Sequence, residues 1–262
     1  MRRFISDEEG LSRELTRLII LIVIIGGLST AGAFAYKTYW APPTAKVGVI
    51  QINGILTWED TQKAEEARQD SSVKAVVLQI NSPGGSVTAS FQAESTISNL
   101  AQEKPVVAIL EQYGASGAYV AASASDYIYA HDQTTTGGLG VIAIWVSYEE
   151  YFENQGIEYH IWKSGMQKDM FAPYRSPTEN ENAQIQKLVN EYTDELFNRI
   201  TANRPETIGQ LDNLRDGSVV YGGEALGYGL VDNTGSKQDA IEKAATMAGL
   251  EDGEYQVVNL SK

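Results

Sequence analysis

Gly114-Ala115-Ser116-Gly117-Ala118-Tyr119 is the stretch on which the fold of this chain turns. Before it, Val106 to Leu110 is a short, fully apolar run that predicts a buried strand. After it, Tyr119 to Ser125 is rich in alanine and holds no helix breaker, which predicts a helix. Ser116 therefore falls in a tight strand-to-helix turn with small residues on both sides. Such a turn can lift a hydroxyl clear of the backbone and aim the first N–H groups of the helix at one spot. A serine nucleophile needs that exposure, and it needs donors for the oxyanion that forms. Taken alone, the stretch reads first as a glycine-rich turn with a capping serine.

The segments around it repeat the same alternation. Val47 to Ile52 predicts a strand closed by Asn53-Gly54, and Glu59 to Asp70 a charged, exposed helix. Val73 to Ile80, VKAVVLQI, is nearly continuous in apolar residues, as in a sheet covered on both faces. Asn81 to Ser86, NSPGGS, reads as a glycine-rich turn opening a helix over 87–103. Pro105 to Leu110 and Tyr127 to Ala130 predict further strands. Buried strands alternating with helices predict right-handed βαβ units on a mostly parallel sheet, an α/β fold. Thr134 to Ile142 is a second glycine-rich turn, Val146 to Gln155 a helix, and Ile157 to Trp162 a strand. A long helix over 178–203 carries Ile185, Leu188, Val189, Tyr192, Leu196 and Ile200 in one stripe, suited to core or subunit interface. Gly222 to Asp232 is turn-rich, and Lys237 to Met247 predicts a closing helix with Gly249 past its end.

At the N-terminus, residues 1–17 are polar and carry Arg2, Arg3, Arg13 and Arg17. Leu18 to Tyr36 then runs 19 residues without a charge, long enough for a spanning helix. Arginines before it outnumber the lysines just behind it, Lys37 and Lys46, so the N-terminus is expected in the cytoplasm and the rest outside. Ala31-Gly32-Ala33 and Ala33-Phe34-Ala35 resemble signal-peptidase sites, although the run is long for a cleaved signal and suits an uncleaved anchor. The domains read as a cytoplasmic segment 1–17, an anchor 18–36 in the lipid bilayer, a linker 37–45 and an extracytoplasmic domain 46–262. Hydrophobic residues make up 43% of the 262, enough for a sizeable core. A net charge of −14 argues against nucleic acid as a partner. Without cysteine there is no disulfide framework, thiolate nucleophile or Cys-based metal site.

Two loops place glycines after apolar strands, Pro83-Gly84-Gly85 and the Ser116 turn. Neither fits a Walker A motif or a dinucleotide fingerprint, so no cofactor and no metal is expected. The other reading is an oxyanion hole of backbone N–H groups, with Gly85 facing Ser116. A base for Ser116 could be a histidine, and only His131 and His160 are present. His131 reads as a surface residue and His160 as structural. A lysine becomes a neutral base when apolar surroundings lower its pKa. Lys163 and Lys168 sit among Trp162, Met166, Met170 and Phe171. Taken alone, either is a solvated surface lysine.

In chain order NSPGG, GASGAY, TGGLGVI, KSGMQKD and GGEALGYGLVD resemble the signal peptide peptidase A family, peptidase family S49, across residues 46–250. The resemblance implies a ClpP/crotonase-like fold and a serine endopeptidase with a Ser–Lys dyad, cleaving residual signal peptides or other short hydrophobic peptides. It implies Ser116 as nucleophile, Lys168 as general base, Lys163 as the alternative base, and an oxyanion hole from Gly85 and Ser116. It also implies a membrane-anchored homo-oligomer, a ring of eight, in which the lysine reaches a neighbour's serine. Members often have serine where Gly138 stands, so a hydroxyl of Thr134, Thr135 or Thr136, or water, would have to orient the lysine. Two other readings share the fold: a crotonase-type acyl-CoA-processing enzyme, and an inactive homologue serving as a membrane scaffold.

Overall fold

Strands apolar on both faces need cover on both faces, and the chain supplies it. The computed structural model describes residues 2–39, 44–207 and 209–261, with side chains described for 15–36 and from 44 onward. It divides into two units, the N-terminal helix and the domain beginning at Thr44. Residues 40–43 of the expected linker lie outside the described residues.

In the N-terminal unit, α1 spans Arg2–Tyr39. Its stretch Leu15–Tyr36, 22 residues, is long and apolar enough to cross a membrane, with no part of it buried. That stretch contains the whole of the expected 18–36 span.

In the domain, β1 (Ala45–Leu56), β2 (Val73–Gly85) and β3 (Val106–Ala115) run parallel side by side. β4 (Tyr127–Ala130) and β5 (Thr135–Gly137) both pair in parallel with β3, one at each end of it. β6 (Val219–Tyr221) pairs antiparallel with β5, and β7 (Asn233–Thr234) parallel with β4. β8 (Tyr255–Asn259) closes the far edge, parallel to β1. Among the described residues this makes one mostly parallel sheet.

Side chains alternate between its faces. Ile50, Ile52, Leu78, Ile80, Ala108 and Leu110 belong to one core. That core also holds residues of α2 (Trp58–Gln69), α3 (Val87–Ala101), α4 (Gly117–Ser123) and α6 (Glu179–Asn203). Val47, Val49, Ala75, Val77, Val107 and Ile109 meet Ala240, Ile241, Ala244 and Ala245 of α7 (Lys237–Met247) on the other face. Ile50, Leu78, Ile80, Ile109 and Leu110 are fully buried. Each such side chain stabilises the fold by about 1.5–3 kcal/mol relative to exposure.

Several expectations are revised. Asn53-Gly54 does not close β1: Gly54 takes φ 72° at a shift of register, and the strand resumes, pairing Ile55 with Gly84 and Leu56 with Gly85. NSPGG is likewise extended rather than a free turn, because β1 continues beside it. Thr134 to Ile142 includes the short strand β5. The helix expected over 146–155 shortens to α5, Glu149–Asn154. Ile157 to Trp162 joins no strand ladder, and Ile157, Tyr159, Ile161 and Trp162 are exposed. Its alternation signals a half-buried strand, yet among the described residues no strand pairs with it. The stripe on α6 is core only toward its C-terminal end, at Leu196 and Ile200, whereas Leu188 and Tyr192 are exposed. β8 carries too short a signal to stand out in the sequence.

Candidate active site

β3 and α4 meet at Ser116 without an intervening loop. Ser116 has φ 53° and ψ −129°, a conformation that costs a side-chain-bearing residue about 1–3 kcal/mol. The surroundings hold it there. Ala115 pairs with Gly137 of β5, and the Ser116 N–H donates to the Gly137 carbonyl at 2.8 Å. From the β2 side, Gly84 presses against the turn. A Cβ on Gly84 would stand 3.0 Å from both the Ser116 Cβ and the Gly117 nitrogen, and Gly84 itself has φ 111°. Only glycine meets both demands. A Cβ on Gly117 would collide with the Ser90 hydroxyl, so α3 packs flush against the start of α4. The Ser116 hydroxyl makes no capping bond to α4. The capping reading of this serine is therefore set aside.

The nitrogen of Gly85, the expected oxyanion donor, is 3.5 Å from the position of a Cβ on Gly117. The Ser116 N–H, expected beside it, is committed to Gly137. Gly138 follows with φ 58°, and its Cβ position lies 3.7 Å from the Ala115 Cβ and 4.0 Å from the Ser116 nitrogen. The threonine hydroxyls near it are occupied in part. Thr136 donates to Gly114 O at 2.7 Å, and Thr134 donates to the Leu110 and Glu111 carbonyls. Both secure β5 and its approach to β3.

An open cleft of about 710 Å³ lies over Ser116. Leu139, Val141, Ile142 and Val189 give it an apolar lining, and Asp194, Arg215 and Asp216 a charged one. Arg215 bridges Asp194 at 2.9 Å and Asp212 at 3.0 Å. The Ser218 side chain, and next its backbone N–H, hold the Asp216 carboxyl below the usual range. Sequence reading missed this wall, because the charges of 194 and 212–216 carry no motif.

Lys168 and Lys163 do not line that cleft. Lys163 is tied, donating to Asp169 Oδ1 at 2.8 Å and to Met166 O at 3.0 Å. Lys168 is exposed, and among the described residues its ammonium has no hydrogen bond or ion pair. Neither histidine lines the cleft. His131 Nε2 pairs with Glu111 Oε2 at 3.1 Å, and the exposed His160 lies 3.9 Å from Glu158. Around the lysine loop, Asp169, the last residue of KSGMQKD, forms a cluster with Arg175 and Glu181, which no motif singled out. One legible signal existed: Thr178-x-x-Glu181 is a capping box opening α6.

A mostly parallel sheet with helices on both faces, and a serine at a strained strand-to-helix junction, define a ClpP/crotonase-like α/β protein. A serine-to-alanine mutant of the 1510-N membrane-bound stomatin-specific protease shares the fold, with a TM-score of 0.51 at 16% identity over 85% of this chain and 95% of that one. The family model for peptidase family S49 matches residues 98–251. A protein of Methanocaldococcus jannaschii, named as a candidate protease, is 34% identical over 190 residues, 72% of this chain and 61% of its own. One of Enterococcus faecium, named as a candidate signal peptide peptidase, is 33% identical over 179 residues, 68% of this chain and 52% of its own. The chain thus spans roughly half to three-fifths of these two relatives, by those same shares. The chain belongs to peptidase family S49.

Proposed function

We propose that this chain is a membrane-anchored serine endopeptidase of the signal peptide peptidase type, with Ser116 as nucleophile and Lys168 as general base. The observation that carries the reading is Ser116 itself: strained at φ 53°, uncapped, and at the foot of a cleft. Strain of this kind persists where the surroundings enforce it, which is common at reacting groups. The apolar wall of Leu139, Val141, Ile142 and Val189 suits the side chain of a short hydrophobic peptide, such as a signal-peptide remnant.

Neutral Lys168 takes the Ser116 proton as Oγ attacks the peptide carbonyl. The oxyanion is received by backbone N–H groups of Gly85 and Gly117, since that of Ser116 is engaged. The lysine then delivers the proton to the leaving amine, and water releases the acyl group by the reverse steps. Lys163 is the weaker candidate for base, because its ammonium is paired with Asp169. An ordinary lysine, with a pKa of about 10.4, is charged at neutral pH, so the working base must leave water.

A second copy of the chain supplies that environment. Ile142 and Ile144 before α5, and Trp162 and Met166 on the segment carrying the lysines, are exposed, and an interface would cover them. The assembly is a homo-oligomer, a ring of eight, in which Lys168 of one copy meets Ser116 of the next. Leu15–Tyr36 is its anchor in the bilayer, and the arginines ahead of the apolar run from Leu18 support a domain outside the cytoplasm.

The test is complementation between inactive subunits. Ser116→Ala and Lys168→Ala, each inactive alone, are mixed and allowed to exchange. Activity toward a chromogenic peptide ester returns if serine and lysine meet across an interface. Continued inactivity in demonstrably mixed oligomers excludes the inter-subunit dyad. An active Lys168→Ala enzyme excludes Lys168 as base.

A further inference from the structure

Among the described residues, no regular secondary structure lies between α5, which ends at Asn154, and α6, which begins at Glu179. A catalytic lysine on such a segment must be held in place by side chains, and one carboxylate gathers them. Asp169, directly after Lys168, has a side chain only 9% exposed. It accepts from Lys163 Nζ at 2.8 Å, from Arg175 Nε at 3.1 Å and Nη2 at 2.9 Å, and from the Tyr174 hydroxyl at 3.1 Å. Arg175 turns its other edge to Glu181, at 2.8 and 2.7 Å. Glu181 caps α6 through the Thr178 N–H. The Arg175 guanidinium also lies 5.1 Å from the Trp145 ring, whose Nε1 donates to Ala172 O and Arg175 O at 3.1 Å. Gln167 adds a second tie to α6, donating to Gln184 at 2.8 Å. α6 in turn walls the cleft over Ser116 with Val189, Asn190, Thr193 and Asp194.

We infer that Asp169 is a positioning residue: pinned to α6 through Arg175 and Glu181, it sets the place from which Lys168 is presented, and Lys163 is its charge partner rather than a base. The inference rests on the proposed Ser116–Lys168 reading and adds what holds the lysine. Forked pairing of Arg175 to two carboxylates fixes direction as well as distance, which a lone lysine contact cannot do. Two carboxylates, Asp169 and Glu181, balance two cations, Lys163 and Arg175. The cluster is thus neutral without Lys168, and does not by its net charge hold that lysine protonated. The tie operates whichever copy's serine Lys168 serves.

The full-length chain is assayed as wild type, Lys168→Ala, Asp169→Asn and Lys163→Gln, with kcat and KM measured across pH. For Asp169→Asn, kcat falls roughly 10- to 100-fold while KM stays within about 2-fold, as expected for a displaced catalytic group. Loss of a negative charge beside Lys168 also moves the acid limb of the profile to lower pH. Lys163→Gln keeps most of its kcat and moves the acid limb the other way, by roughly half a pH unit, since a positive neighbour is gone. A merely structural Asp169 would reduce the amount of folded enzyme and leave kcat per folded enzyme at the wild-type value. If Asp169→Asn does not fold, Arg175→Lys breaks the fork while keeping the charge. It then lowers kcat with the acid limb unmoved, or overturns the inference by leaving kcat at the wild-type value. Wild-type kcat and acid limb in Asp169→Asn, beside an inactive Lys168→Ala, overturn the positioning role alone. A fully active Lys168→Ala removes the Ser–Lys reading, and the inference with it.

Discussion

Strain at Ser116 can be measured by comparing two inactive variants, Ser116→Ala and Ser116→Gly. Both lack the hydroxyl, so its interactions cancel between them. Alanine keeps a Cβ at φ 53° and ψ −129°, and therefore keeps the strain. Glycine releases it, worth about 1–3 kcal/mol for a residue held in so sparsely populated a region. Against this stands the larger entropy of glycine in the unfolded chain, about 0.5–1 kcal/mol. The difference favours glycine by roughly 0–2.5 kcal/mol, from the smallest strain less the largest entropy to the reverse. At an ordinary position the sign is opposite, with glycine the less stable by about 0.5–1 kcal/mol. In a domain of this size each kcal/mol moves the midpoint by roughly 2–4 °C. Thermal unfolding of the two variants in the same detergent therefore resolves the sign. A Ser116→Gly midpoint below that of Ser116→Ala refutes the claim that the fold stores strain at this serine.

Gly84→Ala places a methyl group 3.0 Å from the Ser116 Cβ at φ 111°. A destabilisation of about 2–6 kcal/mol follows from strain and overpacking together, with hydrolysis lost as the turn shifts, and denaturant unfolding beside an activity assay checks both. Glu181 has its carboxyl pKa lowered to about 2 by Arg175 first and by the Thr178 backbone next. Its contribution to stability is fully present above the unfolded value of about 4.3 and is lost as pH falls toward the folded value. Glu181→Gln should accordingly flatten the loss of stability between those limits, and an unchanged acid slope would contradict this. A C-terminal reporter that works only in the cytoplasm should stay silent when fused to the full chain; activity would reverse the proposed topology.

The two candidate lysines show where sequence reading stops. KSGMQKD places Lys163 and Lys168 in the same apolar company, and nothing in the local pattern separates them. In three dimensions Asp169 draws in Lys163 and, among the described residues, leaves Lys168 unpaired, because Arg175 and Glu181 hold the carboxylate at the start of α6. Gly84 is similar. In sequence it belongs to a glycine-rich turn, and its contact with Ser116 exists only because β2 and β3 are neighbours in register. The misread strand at 157–162 has the same root. Alternation records which faces could be buried, and only an adjacent strand decides whether they are.

Sequence alone determined the parallel α/β plan, the apolar N-terminal helix and the placing of Ser116 between strand and helix. Each rests on local chemistry: continuous apolar runs require cover on both faces, an uncharged run of about 20 residues suits a bilayer, and small residues permit a tight turn. Tertiary structure decided the strained conformation of Ser116, the spending of its N–H on Gly137, the cleft wall from α6 and the 212–217 segment, and the clamp on Asp169. These depend on contacts between residues far apart in the chain, whose free energy is settled by packing geometry and leaves no periodic trace in sequence.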